Sequence, residues 1–274
     1  MLVESFPGNP VRMITSSSRP RRVDVDRFPE WEPFAHAVQQ RRPEAGTWCE
    51  AWTVRDIVIH QTGNAEELAR VLAAHLAGEP VDTRGFEERE APYRALNDVD
   101  LFSSFIDQMS RLGDVAGEAE SLPEGTDVGW TGRTMKVPWF AEHMREELVL
   151  HGWDITGDDA AAQDRLGQRW MTDHSVDAVG VPLLTRGAAR LGLRGGERFE
   201  ARLRVTGADD VVVTADADTT SIELGTADEP ATLETDAAAR VLLLWGRRPA
   251  DPSRICSRAG PEALGRLRIL LSGY

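Results

Sequence analysis

Residues 145–154 read REELVLHGWD, and in a helix Glu147 and His151 of that stretch project from one face, four residues apart. Phe140, Met144 and Ile155 fall on the same face, which turns it towards a core. A carboxylate and an imidazole on an apolar stripe are costly unless paired, hydrogen-bonded or bound to a metal. One helix offers two ligands, and a useful metal site needs a third. The best donor elsewhere is His60, inside another helical stretch far upstream. The pattern predicts a divalent cation held between helices by His60, Glu147 and His151. Three ligands of His, His, Glu type leave zinc an open position for water or substrate, the arrangement of a catalytic site. Glu147 and His151 alone recur by chance in acidic helices, and a lone histidine on a buried stripe is more commonly a hydrogen-bonded core residue. The inference rests on both parts arriving together. In other registers Glu146 and His143 could substitute, but both fall off the apolar stripe.

The upstream stretch is TVRDIVIHQTGNAEELARVLAAHLAG, with Thr53 as N-cap, Asp56 at the capping-box position and Gly78 at the end. Ile57, His60, Asn64, Leu68 and Val71 share its inward stripe. Asn64, one turn beyond His60, is either a neighbour in the same site or a polar packing residue. An earlier helix over 26–41 carries Trp31, Phe34 and Val38, with His36 outward. Trp48 and Trp52, in the linker between these two helices, read as packing residues. Residues 79–97 are polar and contain Pro and Gly, which predicts a long connection. A third helix is expected from about Asp98 to Leu112. A loop or hairpin follows, and then a fourth helix opened by Pro138. Four amphipathic helices predict a bundle whose interior is a usual place for metal ligands. His174 sits among polar residues with no evident partner.

From Arg198 the period changes to two, in FEARLRVTG, DVVVTADA, SIELGT and ATLET. These segments, separated by Gly- and Asp-rich turns, predict a small antiparallel sheet. Asp236 then caps a helix, AAARVLLLWGRR, and another helix closes the chain. The fold class expected is therefore α+β. Residues 1–25 form a flexible extension, 26–160 a helical bundle and 161–274 a smaller α+β domain.

Composition narrows the function. The 274 residues carry a formal charge of -14, which argues against a nucleic-acid or anionic-membrane partner, because little is available to neutralise phosphates. Two cysteines, Cys49 and Cys256, rule against a disulfide framework and a cysteine-based zinc site. No secretory signal or membrane-spanning run is evident, so the expected location is cytoplasmic. The zincin motif, phosphate-binding glycine loop, nucleophile elbow and dinucleotide fingerprint are all lacking.

Three segments carry a resemblance: AWTVRDIVIHQTGN, GRTMKVPWFAEHMREELVLHGWDI and the late RVLLLWGRR. Together they resemble the mycothiol-dependent maleylpyruvate isomerase family, over roughly residues 26 to 270. The resemblance implies a DinB-like four-helix bundle followed by a sterol-carrier-like C-terminal domain. It implies zinc, or another divalent metal, bound by His60 (eight residues after Trp52), Glu147 and His151, with mycothiol as the second cofactor. It also implies that Arg247, in the late Gly-Arg pair, is a functional residue near the active site; Arg248 is adjacent. On this reading Arg247 and Asn64 contact the thiol or substrate, and Arg247 holds a substrate carboxylate through a bidentate guanidinium. Asp154 either orients His151 or packs at the helix end.

The reaction implied is addition of a metal-activated thiolate to an electrophilic, maleylpyruvate-like double bond, ending in isomerisation or in conjugation. The partners are then a small-molecule substrate and a low-molecular-weight thiol, for a monomer or homodimer. The alternative is a non-catalytic, zinc-containing protein that binds a small molecule in its C-terminal domain. A third reading makes His60 and His151 ordinary core residues.

Overall fold

The computed structural model describes residues 22–123 and 125–272, with the side chains of 178–183 set aside. The expected extension falls on 1–25, of which 1–21 lie outside the described residues. Val23 is already buried in the helical core.

Four helices form the first core: α1 (Trp31–Gln39), α2 (Val54–Leu76), α4 (Asp98–Ala119) and α5 (Val137–Thr156). Helix α2 starts where its chemistry dictates. The Thr53 hydroxyl accepts from the Asp56 backbone N–H, and the Asp56 carboxylate accepts from that of Thr53. Asn97 caps α4 by accepting from the Val99 and Asp100 backbone N–H groups, and Pro138 opens the first turn of α5. Phe28, Phe34, Ile57, Leu68, Phe105, Met109, Phe140 and Met144 fill the space between them. Helix α4 runs on past Leu112, because Ala116 and Ala119 continue its buried stripe. Strands β1 (Asp127–Trp130) and β2 (Arg133–Lys136) make a hairpin over the Thr131–Gly132 turn, where both residues have positive φ.

Residues 79–97 are not the long connection their polarity suggests, because Phe86–Arg94 forms a helix, α3. Its sequence, FEEREAPYR, is polar on every side and contains Pro92, so no apolar period announces it. It forms by docking on α2, which buries Arg89, Glu90 and Tyr93. Gly63 permits the approach: a Cβ there would lie 3.1 Å from the Arg89 carbonyl oxygen.

The remainder packs around a second core. Helices α6 (Ala160–Leu166), α7 (Arg169–His174) and α8 (Gly180–Leu191) are followed by strands β3 (Arg198–Val205), β4 (Asp210–Asp216), β5 (Thr220–Gly225) and β6 (Leu233–Thr235). A π-helical turn joins α7 to α8. Next come α9 (Ala237–Leu244), a short strand β7 (Ile255–Ser257) and α10 (Gly260–Leu270). The strand order is β5-β4-β3-β6-β7. The sheet is mixed rather than wholly antiparallel, since β6 runs parallel to β3. The chain leaves β5 at one edge and crosses to the far side of β3, which sets the direction of β6. The α+β class stands, and Asp236 caps α9 as its position predicts.

Helix α5 belongs to both cores. Phe140, Met144, Leu148 and Ile155 face the bundle, while Val149, Leu150 and Trp153 face the second core. Consequently His143 and Glu146, off the apolar stripe, are buried as well. No helix of the described residues is long and apolar enough to cross a membrane.

Candidate active site

The stripe on α2 and the face of α5 meet. Donor atoms of His60, Glu147 and His151 lie within 4.8 Å of one another, and all three residues are buried. Nε2 of His151 is 3.3 Å from Glu147 Oε2, and Nε2 of His60 is 3.6 Å from the same oxygen. Each imidazole is held from behind by a second carboxylate. Nδ1 of His60 is 2.9 Å from Glu90 Oε1, and Nδ1 of His151 is 2.8 Å from Asp154 Oδ2. The Glu90 carboxylate favours a proton on Nδ1 of His60 and leaves its Nε2 lone pair turned inward, as metal-binding histidines require, whereas Asp154 stands in ion-pair reach of His151 Nδ1 without hydrogen-bond geometry. Asp154 thus faces the His151 ring, rather than merely packing at the helix end.

These carboxylates are themselves paired. Arg94 donates to Glu90 Oε2 at 2.6 Å. Arg247 grips Asp154 with Nε and Nη2, at 2.9 and 2.7 Å, while its Nη1 reaches the Trp245 carbonyl. Of the two candidate arginines, Arg247 therefore faces the site, and Arg248 is exposed. The fork of Arg247 is occupied by a protein carboxylate, not open to a substrate. Asn64 lies beside the centre, its Nδ2 3.3 Å from His60 Nε2.

Among the described residues no guanidinium lies within salt-bridge reach of Glu147, and its Oε2 accepts from Gln61 Nε2 at 3.2 Å. Burial disfavours its charge, yet the adjacent His151 and His60 imidazoles prevail and hold its pKa well below the carboxylate range. Burial likewise opposes charge on His151, but Asp154 and Glu147 outweigh it and raise that pKa. The site therefore calls for positive charge between the two imidazoles and Glu147. A divalent cation meets that demand, and the donor set suits one.

Aromatic rings enclose the centre. Trp52 stacks on His151 at 5.8 Å between centroids and meets His60 edge-on at 5.0 Å. Phe86, itself largely exposed, leans against His60 at 5.4 Å. Arg89 is buried over the Phe86 ring, and its Nε has no hydrogen-bond partner.

The comparisons with known proteins follow from this geometry. Residues 28–156 match the family described as mycothiol maleylpyruvate isomerase N-terminal domain. That match covers most of the helical part of the chain. The match spans all the elements that carry His60, Glu90, Glu147, His151 and Asp154. Two crystal structures resemble the chain over both halves. One is of the mycothiol-dependent maleylpyruvate isomerase and the other of a variant with one histidine replaced by alanine. Each has a TM-score of 0.54 and 17% identity, covering 86% of this chain and 92% of its own. At that identity the likeness is one of fold. No curated protein matches by sequence.

Sequence reasoning had no means to find Glu90. A carboxylate thirty residues from its histidine, on a helix without apolar period, leaves no local signature. The prediction for Glu90→Gln is a 10- to 100-fold, order-of-magnitude loss of metal affinity with the fold retained, measured by competition with a chelator. Unchanged affinity would show that this carboxylate does not orient His60.

Proposed function

We propose that this chain is a metal- and mycothiol-dependent isomerase or S-transferase that acts on an electrophilic, unsaturated, maleylpyruvate-like acid. The observation that carries this reading is the convergence of two carboxylate-backed imidazoles on one oxygen of Glu147. His60, Glu147 and His151 would hold the cation, zinc being the best fit to the donor set. When bound, such a cation lowers the pKa of a thiol and supplies a thiolate at neutral pH.

The chain's own cysteines are poor substitutes for that thiol. Burial, and then the charge of Asp154, push Cys49 up to about 11, and Cys256 is exposed. The sulfur nucleophile must therefore come from outside, and it adds to an activated double bond. Elimination after rotation gives isomerisation, whereas release of the adduct gives conjugation. Glu90 keeps the Nδ1 proton of His60 in place, Asp154 faces His151 at ion-pair distance, and Arg247 acts through Asp154 as a positioning residue. Asn64 contacts the centre beside His60, where a bound thiol would meet its amide. A substrate carboxylate needs a guanidinium not already engaged with a buried acid. Arg89, with its unpartnered Nε, meets that condition better than Arg247. A cytoplasmic location suits an enzyme whose co-substrate is a reduced thiol.

The test is turnover of a panel of unsaturated acids by metal-loaded protein, with and without mycothiol. Turnover that needs both thiol and metal, with KM for an anionic substrate raised in Arg89→Gln, is the expected result. Metal bound without any thiol-dependent turnover would overturn the proposal.

A further inference from the structure

A second group of ionisable side chains lies on the other side of α5. His143 and Glu146 project from α5, and His174 ends α7. All three are buried, with the His174 and Glu146 side chains wholly so. Their facing atoms form a triangle. His174 Nε2 is 3.4 Å from Glu146 Oε2 and 3.5 Å from His143 Nδ1, and the third edge, His143 Nδ1 to Glu146 Oε2, is 3.9 Å.

These edges are at or beyond the limit of a hydrogen bond. They approach the separation of ligands on a tetrahedral zinc, about 3.3–3.5 Å for bonds of roughly 2.0–2.2 Å. Two edges of the first site, at 3.3 and 3.6 Å, are comparable with the two shorter edges here.

Hydrogen bonding leaves the triangle incomplete. Glu146 Oε1 accepts from Ser175 Oγ at 2.7 Å and from Trp245 Nε1 at 2.8 Å. Among the described residues its Oε2 has no hydrogen-bond partner, and it points into the triangle. Behind His174, Nδ1 is 2.6 Å from Glu142 Oε1, which places a proton there and turns the Nε2 lone pair inward. The arrangement repeats the device at His60, an imidazole oriented by a carboxylate on its outer nitrogen. One proton can join only one pair of these three atoms, whereas a cation satisfies all of them. The rings of Trp130, Trp139 and Trp245 pack around the two histidines, so water is a poor substitute.

We infer that His143, Glu146 and His174 form a second site for a borderline divalent cation such as zinc, joining α5 to α7. The two sites share no ligand. His143 Nε2 lies 3.7 Å from Glu147 Oε1, the oxygen that faces away from His60 and His151. A cation on His143 Nδ1 would leave the ring proton on Nε2, directed at Glu147. Occupancy would then brace the first site from behind.

Counting metal in purified, desalted protein from zinc-supplemented cells tests this inference apart from the first site. Two zinc ions per chain are expected in the wild type. One should remain in His60→Ala, one in His174→Ala, and none in the double variant. Glu146→Gln, nearly isosteric, should also lose one while keeping the wild-type circular dichroism spectrum. The inference is overturned if His60→Ala alone empties the protein, or if His174→Ala and Glu146→Gln keep the wild-type content. In that event contacts among these side chains, without a cation, hold the cluster. A single zinc that survives His60→Ala and is lost in His174→Ala would uphold this site and remove the metal from the proposed function.

Discussion

Replacing His151 by alanine is expected to empty the first metal site and lower thiol-dependent turnover by roughly three orders of magnitude. His151 turns Nε2 toward the centre, and its loss leaves His60 and Glu147 as the remaining candidate ligands there among the described residues. Two ligands do not hold a divalent cation that normally takes three or four from protein. Electrostatic stabilisation by a bound metal is worth several kcal/mol, and each ~1.4 kcal/mol is tenfold in rate. Metal content and single-turnover rate should fall together. Turnover that persisted in metal-free His151→Ala would mean that thiol activation does not depend on this centre. His60→Ala should behave alike, because both imidazoles face the same oxygen of Glu147.

Arg247→Ala should act on stability as well as on activity. Asp154 is fully buried, and Arg247 is the guanidinium that pairs with it. Removing one member of a buried pair strands the other charge, at a cost of about 3–5 kcal/mol. For a protein of this size that corresponds to roughly 6–20 °C in melting temperature. The pH dependence has a definite sign. Burial works against the Asp154 charge, but Arg247 and His151 outweigh it and hold its pKa below the usual carboxylate range. A depressed carboxylate stabilises the fold fully above its unfolded pKa, about 3.9, and that contribution disappears as pH falls towards the folded value. Without Arg247 the folded pKa rises, so acid unfolding should begin at a higher pH. Arg247→Lys keeps the charge but not the fork, and should recover only part of the loss. An unshifted acid midpoint in Arg247→Ala would show that the pair contributes nothing to stability.

The chain announces several features in local terms. Thr53 with Asp56, Asn97 and Asp236 mark helix starts through side-chain hydrogen bonds to neighbouring backbone, which depend only on residues a few positions away. The helical period places Glu147 with His151, and sets His60 on the stripe of α2, without reference to the rest of the molecule. A histidine and a carboxylate on apolar faces then imply a partner, because burial alone would be too costly. On that basis the convergence of His60, Glu147 and His151 and the helical first half are legible from residue spacing.

Tertiary packing decided the rest. The period of α5 defines faces about its own axis, but not how many neighbours those faces meet. Since α5 is packed on two sides, His143 and Glu146 are interior, and His174, which looked solitary, completes a buried cluster. Helix α3 exists because α2 offers Gly63 as a landing place, and with it come Glu90 and Arg89. The fork of Arg247 closes on Asp154, ninety-three residues away, rather than on a substrate. Local spacing specifies which way a side chain leaves its helix. What it meets is settled only when elements distant in sequence come together, and here those meetings orient both imidazoles.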